Sequence, residues 1–103
     1  MRRFRILVSA TARRQLHEIA AWWKENRPDE PALFLDQLEA SLQRLSALPG
    51  SGSPYLLERP VDVRRVLLSR CPYHLYYTVD DDAGTVTIRA VWHTARGHGP
   101  PLT

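Results

Sequence analysis

His74 and His93, with arginines at 64, 65, 89 and 96, are the side chains through which this sequence could act on another molecule. Two imidazoles beside a guanidinium are the equipment of many metal-free ribonucleases: one ring is the general base, the other the general acid, and the cation holds the phosphate. Period-two alternation sets His74, Tyr76 and Thr78 on one side of a strand and Leu75, Tyr77 and Val79 on the other. By the same count Arg89 and His93 oppose Ile88, Ala90 and Trp92. If the apolar sides meet the core, His74, Arg89 and His93 share the face turned away from it. The rival reading makes these residues the polar part of a protein-binding face, and it is preferred, because pattern alone seldom fixes function on a shared fold.

Arg64 and Arg65 must point to opposite faces of their strand. One can lay its stem against the core side while the other reaches a phosphate or a carboxylate. The Leu67-Leu68 pair leaves the register open, so both remain candidates. A metal site from His74, His93 and His98 lacks cysteine or carboxylate at ligand spacing. Cys71 has only nearby His74 to activate it and reads as packing. No metal and no cofactor is expected.

Positioning these residues requires a sheet and something to cover it. Arg3–Val8 reads as a short strand with Phe4, Ile6 and Val8 on one face. Ser9 is an N-cap candidate for a helix over Ala10–Glu25, where Ala12, Leu16, Ile19, Ala20 and Trp23 recur at helical spacing. Trp22 cannot share the face of Trp23 and is expected to be exposed. The Asn26–Pro31 break starts a second helix, with Asp29 as its cap and Glu30 and Pro31 in its first turn. Phe34, Leu35, Leu38, Leu42 and Leu45 form its apolar stripe, and Leu48 ends it. Pro49–Pro54 reads as loop. Strands are expected over Val61–Ser69, Tyr73–Val79 and Thr85–His93, then an irregular tail over Thr94–Thr103 with a mobile end. The fold expected is α+β and two-layer: an N-terminal strand, an antiparallel helical hairpin, then three antiparallel strands. The hairpin covers one sheet face and leaves the other open to water or to a partner.

Length and composition fit one domain spanning residues 1–103, with 44% hydrophobic and 9% aromatic residues, enough for a packed core. No apolar run approaches the roughly 20 residues that span a bilayer, and the basic N-terminus lacks the apolar segment of a secretory signal. A lone cysteine suits a reducing cytoplasm. The formal net charge is +3, and every basic residue except Lys24 is arginine. That surplus fits an acidic protein or a nucleic acid without choosing between them.

A run of local patterns is similar to one family. These are Ala12, Leu16 and Ile19; Pro31, Ala32 and Phe34; Leu45, Leu48, Pro49 and Gly52; Val63, Arg64 and Arg65; Tyr73 to Tyr77 with Val79 and Asp80; and Val91, Trp92, His93, Arg96 and Gly97. In this order and over nearly the whole chain they resemble the RelE/ParE toxins of type II toxin–antitoxin systems, and the ParE branch more than the RelE branch. The resemblance implies a toxin that inhibits DNA gyrase, without established hydrolytic chemistry, bound by a ParD-like antitoxin through an acidic C-terminal segment in a hetero-oligomer. The alternative it implies is RelE-like cleavage of mRNA on the ribosome, with Arg65, His74, His93 and Arg96 as the catalytic candidates. RelE's basic positions match poorly: Arg65 is retained, the next falls near Leu67, another becomes His74, and another falls near Thr94. The late tyrosine of that branch falls at Pro100.

Overall fold

In this computed structural model residues 2–56 and 62–102 are described. Ser9 turns the first strand, β1 (Arg5–Val8), into the first helix, α1 (Ala10–Asn26). Its amide donates to the Ile88 carbonyl at 3.0 Å, and its hydroxyl accepts from the Ala12 amide at 3.1 Å. One side chain thus ends a strand and satisfies an orphan N–H of the helix start. The second helix, α2 (Leu33–Ala47), leads through a 3-10 turn, Pro49–Ser51, into β2 (Ser53–Leu56). Then come β3 (Val63–Leu67), β4 (Tyr73–Asp80) and β5 (Thr85–His93). Val61, placed by the sequence at the start of its strand, lies outside the described residues, as does Thr103.

The strands form one sheet in the order β1-β5-β4-β3-β2, with β1 parallel to β5 and every other pair antiparallel. The α+β two-layer expectation holds, with one strand more. Composition assigned Ser53 and Pro54 to loop, yet they pair with Arg65 and Arg64 at the sheet edge, a position where a proline costs no ladder bond on its outer side.

Both helices lie on one sheet face. Ala12 and Trp23 of α1 and Phe34, Leu38 and Leu45 of α2 pack on Tyr73, Leu75, Tyr77, Val86, Ile88 and Val91. The start and stripe of α2 differ from the sequence reading. Asp29, Glu30 and Pro31 precede the helix, whose N-cap position is Ala32 without a side-chain cap. Glu30 instead lies between Arg27 at 3.7 Å and Arg70 at 3.3 Å. Leu35, expected in the stripe, is 50% exposed, and Ser41 is buried in line with Phe34, Leu38 and Leu45.

Two further differences change the functional reading. Tyr76 pairs with Ala90 but Tyr77 pairs with Ile88, so Arg89 is the extra residue of a β-bulge. Beyond it the alternation of β5 inverts: Val91 joins the main core, while Ala90 turns to the reverse face. That reverse face is not fully open. Val63, Tyr76 and Ala90 make a second, smaller apolar cluster there, with Tyr55, Trp92 and Leu102 packed against it. Leu102 and buried Pro100 belong to the tail, which therefore folds back over the sheet rather than trailing free.

Candidate functional site

The reverse face is assembled by register. Arg65 stands opposite Tyr76, and Leu67 opposite His74, so β3 and β4 present Arg65, His74 and Tyr76 on one side. Ser53 pairs with Arg65, which sets Tyr55, two residues on, over the same surface. The Arg65 guanidinium lies 5.0 Å from the Tyr55 ring centroid and 6.0 Å from that of Tyr76, and donates to the Tyr76 hydroxyl at 3.2 Å. Tyr55 and Tyr76 meet edge to face, with centroids 4.8 Å apart. Arg65 is therefore the arginine of the pair that reaches the reverse face. Arg64 stands opposite core-facing Tyr77 and donates to the Gly52 carbonyl at 2.7 Å.

A groove of about 300 Å³ runs between this cluster and the tail, lined in part by Tyr55, Arg65, His74, Tyr76, Trp92 and Arg96. His74 is half-buried, its ring 6.0 Å from that of Tyr76. Burial and, second, the charge of Arg65 hold its pKa below the ordinary value. The ring is thus neutral at neutral pH, an acceptor or a base rather than a donor of charge. The Arg96 guanidinium sits 4.0 Å from the Trp92 ring centroid, closer than the other arginine–aromatic pairs here.

By register His93 lies on the opposite strand face from His74, yet both side chains line this groove. His93 pairs with Tyr73 of the core face and stacks edge-on to that ring at 5.1 Å. Its Nδ1 accepts from the Ala95 amide at 3.0 Å, which leaves Nε2 as the protonated nitrogen. The Arg89 bulge, invisible to a strict two-residue count, turns His93 toward the helix side, while its place at the strand end keeps it at the edge of the His74 groove as well. There His93 borders a second cavity of about 530 Å³ together with Gln15, Glu18, Ile19, Trp22 and Arg96. Trp22 is 51% exposed at its rim, as the helical spacing predicts. Arg89 itself donates from Nε to the Thr78 hydroxyl at 3.1 Å, on the reverse face but further along β4 than His74.

Sequence reasoning overlooked the aromatic part of the site. Trp92 was assigned to the core face, and Tyr55 lay in a segment without strand signals. Cys71 is buried in the main core, and burial pushes its thiol pKa up, which suits packing rather than attack. Among the described residues no group of three His, Cys, Asp or Glu side chains could hold a metal ion, and no helix is long and apolar enough to cross a membrane.

A family model, described as the ParE toxin of the type II toxin–antitoxin system parDE, matches residues 6–97. Y4kP of Sinorhizobium fredii (strain NBRC 101917 / NGR234), named as a suspected toxin, is 28% identical over 88 residues, which are 85% of this chain and 88% of that protein. A chain of the chromosomal ParDE system of P. aeruginosa shares the fold at TM-score 0.66 and 16% identity, covering 87% of this chain and 95% of its own. A chain of the toxin–antitoxin complex RelBE2 of Mycobacterium tuberculosis aligns at TM-score 0.57 and 28% identity, covering 88% and 98%. A mutant of E. coli toxin RelE in the free state shares the fold at TM-score 0.58 and 19% identity, covering 90% and 85%.

Proposed function

The chain belongs to the ParE toxin family of type II toxin–antitoxin systems, and from that premise we propose that it arrests growth in the cytoplasm by binding DNA gyrase and is neutralised by a ParD-like antitoxin. The observation that supports binding over hydrolysis is how His93 is held: although it borders the same groove as His74, its ring stacks edge-on to core-facing Tyr73 and its Nδ1 is taken by the Ala95 amide. General acid and base must both reach the reacting atoms within hydrogen-bond range. With His93 engaged by the fold, the neutral His74 imidazole beside Arg65 provides half of that equipment. What the reverse face does offer is a partner surface: Arg65 and Arg96, each on an aromatic ring, suit carboxylates of an acidic segment, and the aromatic rings suit its apolar anchors. Relatives of the same fold come from toxin–antitoxin systems, which supports an antitoxin as the neutralising partner.

The test is a supercoiling assay with purified gyrase. Inhibition that is relieved by the product of the adjacent gene is expected; full supercoiling at large toxin excess refutes the gyrase target. A second reading, cleavage of mRNA on the ribosome, draws on Arg65 beside His74 in the reverse-face groove. Primer extension on translated message separates the two: codon-linked cuts lost in His74→Ala favour cleavage, and intact message during growth arrest favours gyrase.

A further inference from the structure

The tail is attached to the reverse face by side chains rather than by a ladder. The Trp92 indole N–H donates to the His98 carbonyl at 2.8 Å, and the His98 ring lies 5.7 Å from that of Trp92. Gly99 passes so close to the Tyr55 hydroxyl that a Cβ there would strike it. Pro100 is buried, and Leu102 rests on the Val63–Tyr76–Ala90 cluster. Backbone bonding stops earlier. Thr94 donates to the Pro72 carbonyl at 2.8 Å and Arg96 to the His93 carbonyl at 3.3 Å. Among the described residues, no backbone–backbone hydrogen bond involves residues 97–102.

We propose that Gly97–Leu102 is an autoinhibitory cover: closed, it lies across Tyr55, Tyr76 and Trp92 and walls the groove that holds Arg65 and His74, and a macromolecule gains that face only when the tail lifts. Three features argue for a cover rather than a fixed part of the sheet. The surface under it is finished on its own terms, because Tyr55, Arg65 and Tyr76 contact one another without help from the tail. The segment is anchored at separated points, Trp92, Tyr55 and the Leu102 slot. A segment with few buried apolar contacts and no ladder opens at low free energy, independently of global unfolding. While it is closed, the apparent affinity for any partner of this face falls in proportion to the open fraction. The inhibitory part of the inference rests on the proposed toxin function together with the premise that the target docks on the same face as the antitoxin's acidic segment.

The full-length protein tests it with two substitutions. Leu102→Asp places a charge in the apolar slot, and Trp92→Phe removes the indole donor while keeping a ring. Diethyl pyrocarbonate labelling, followed residue by residue by mass spectrometry, reads access to His74, and a thermal melt verifies that each variant is folded. His74 is expected to react several-fold faster in Trp92→Phe and about tenfold faster in Leu102→Asp, a loss comparable to removing one modest interaction. Equal His74 rates in the wild type and a folded variant overturn the cover. Induced expression reads the consequence: stronger growth arrest by Leu102→Asp is expected, and faster His74 labelling with equal or weaker arrest overturns the inhibitory role. If no version arrests growth, the toxin reading fails, and the His74 rates still decide whether the tail is a cover.

Discussion

The buried Tyr77 hydroxyl accepts from the Gly52 amide at 2.9 Å and donates to the Pro49 carbonyl at 2.8 Å. One phenol thereby fastens the turn after α2 to the middle of the sheet. Burial raises its pKa, so it keeps the proton it donates. Tyr77→Phe strands two backbone groups, and a loss of roughly 1–3 kcal/mol is expected, read as a lower urea midpoint at unchanged slope. Gly52→Ala should cost more. Its Cβ would lie 2.8 Å from the Arg65 carbonyl, a backbone atom that cannot step aside, and 2.5 Å from the Tyr77 hydroxyl.

Neighbouring arginines should separate fold from function. Arg64→Gln removes the bond to the Gly52 carbonyl and is expected to lower stability by about 1 kcal/mol while growth arrest persists. Arg65→Gln loses only contacts on the reverse face. It should melt within a few degrees of the wild type and lose most of its toxicity. Paired melts and plating assays check both, and full toxicity in a soluble Arg65→Gln protein would remove that face from the mechanism.

Where β1 stops, α1 takes over the edge of β5. Gln15 accepts from the Val91 amide at 2.8 Å, and the Ser9 hydroxyl donates to the Arg89 carbonyl at 3.3 Å. Both contacts brace the bulge that turns Val91 inward. Ser9→Ala and Gln15→Ala should each cost about 1 kcal/mol. Because they act on one bulge, a double-mutant cycle should return a coupling of at least about 0.5 kcal/mol.

The folded state disfavours protonated His74, so the sign of the pH effect is fixed. Its pKa falls below the ordinary 6.5 on folding, and the unfolded chain takes up the proton first. The contribution to stability is complete above about 6.5 and is lost as pH falls from there through the folded value. Urea titrations between neutral and mildly acidic pH should show this decline, and His74→Gln should flatten it.

Local pattern made much of this legible. The Ser9 cap, the span of β5 and the burial of Trp23 follow from side-chain chemistry within one or two turns. What escaped depended on distant partners. The bulge at Arg89 is held by Gln15, far away in the chain, so counting by twos put His93 on the wrong face. Pro54 gave no strand signal because β2 is defined by its pairing with β3. The tail looked free because Gly97, Gly99 and two prolines lack propensity for regular structure, whereas Trp92 and Tyr55 supply its attachment. Leu35 fitted the helical period but falls outside the arc of α2 that meets the sheet.

The parallel pairing of β1 with β5 joins Arg5 to Thr85 and Val8 to Ile88. A strand must therefore wait for one made about eighty residues later, and distant pairing of this kind is slow to form. Until β5 has left the ribosome, α1 has no completed sheet to rest on and the aromatic–arginine surface does not exist. Any partner that recognises that surface thus meets it only after the last strand is in place, never on the growing chain.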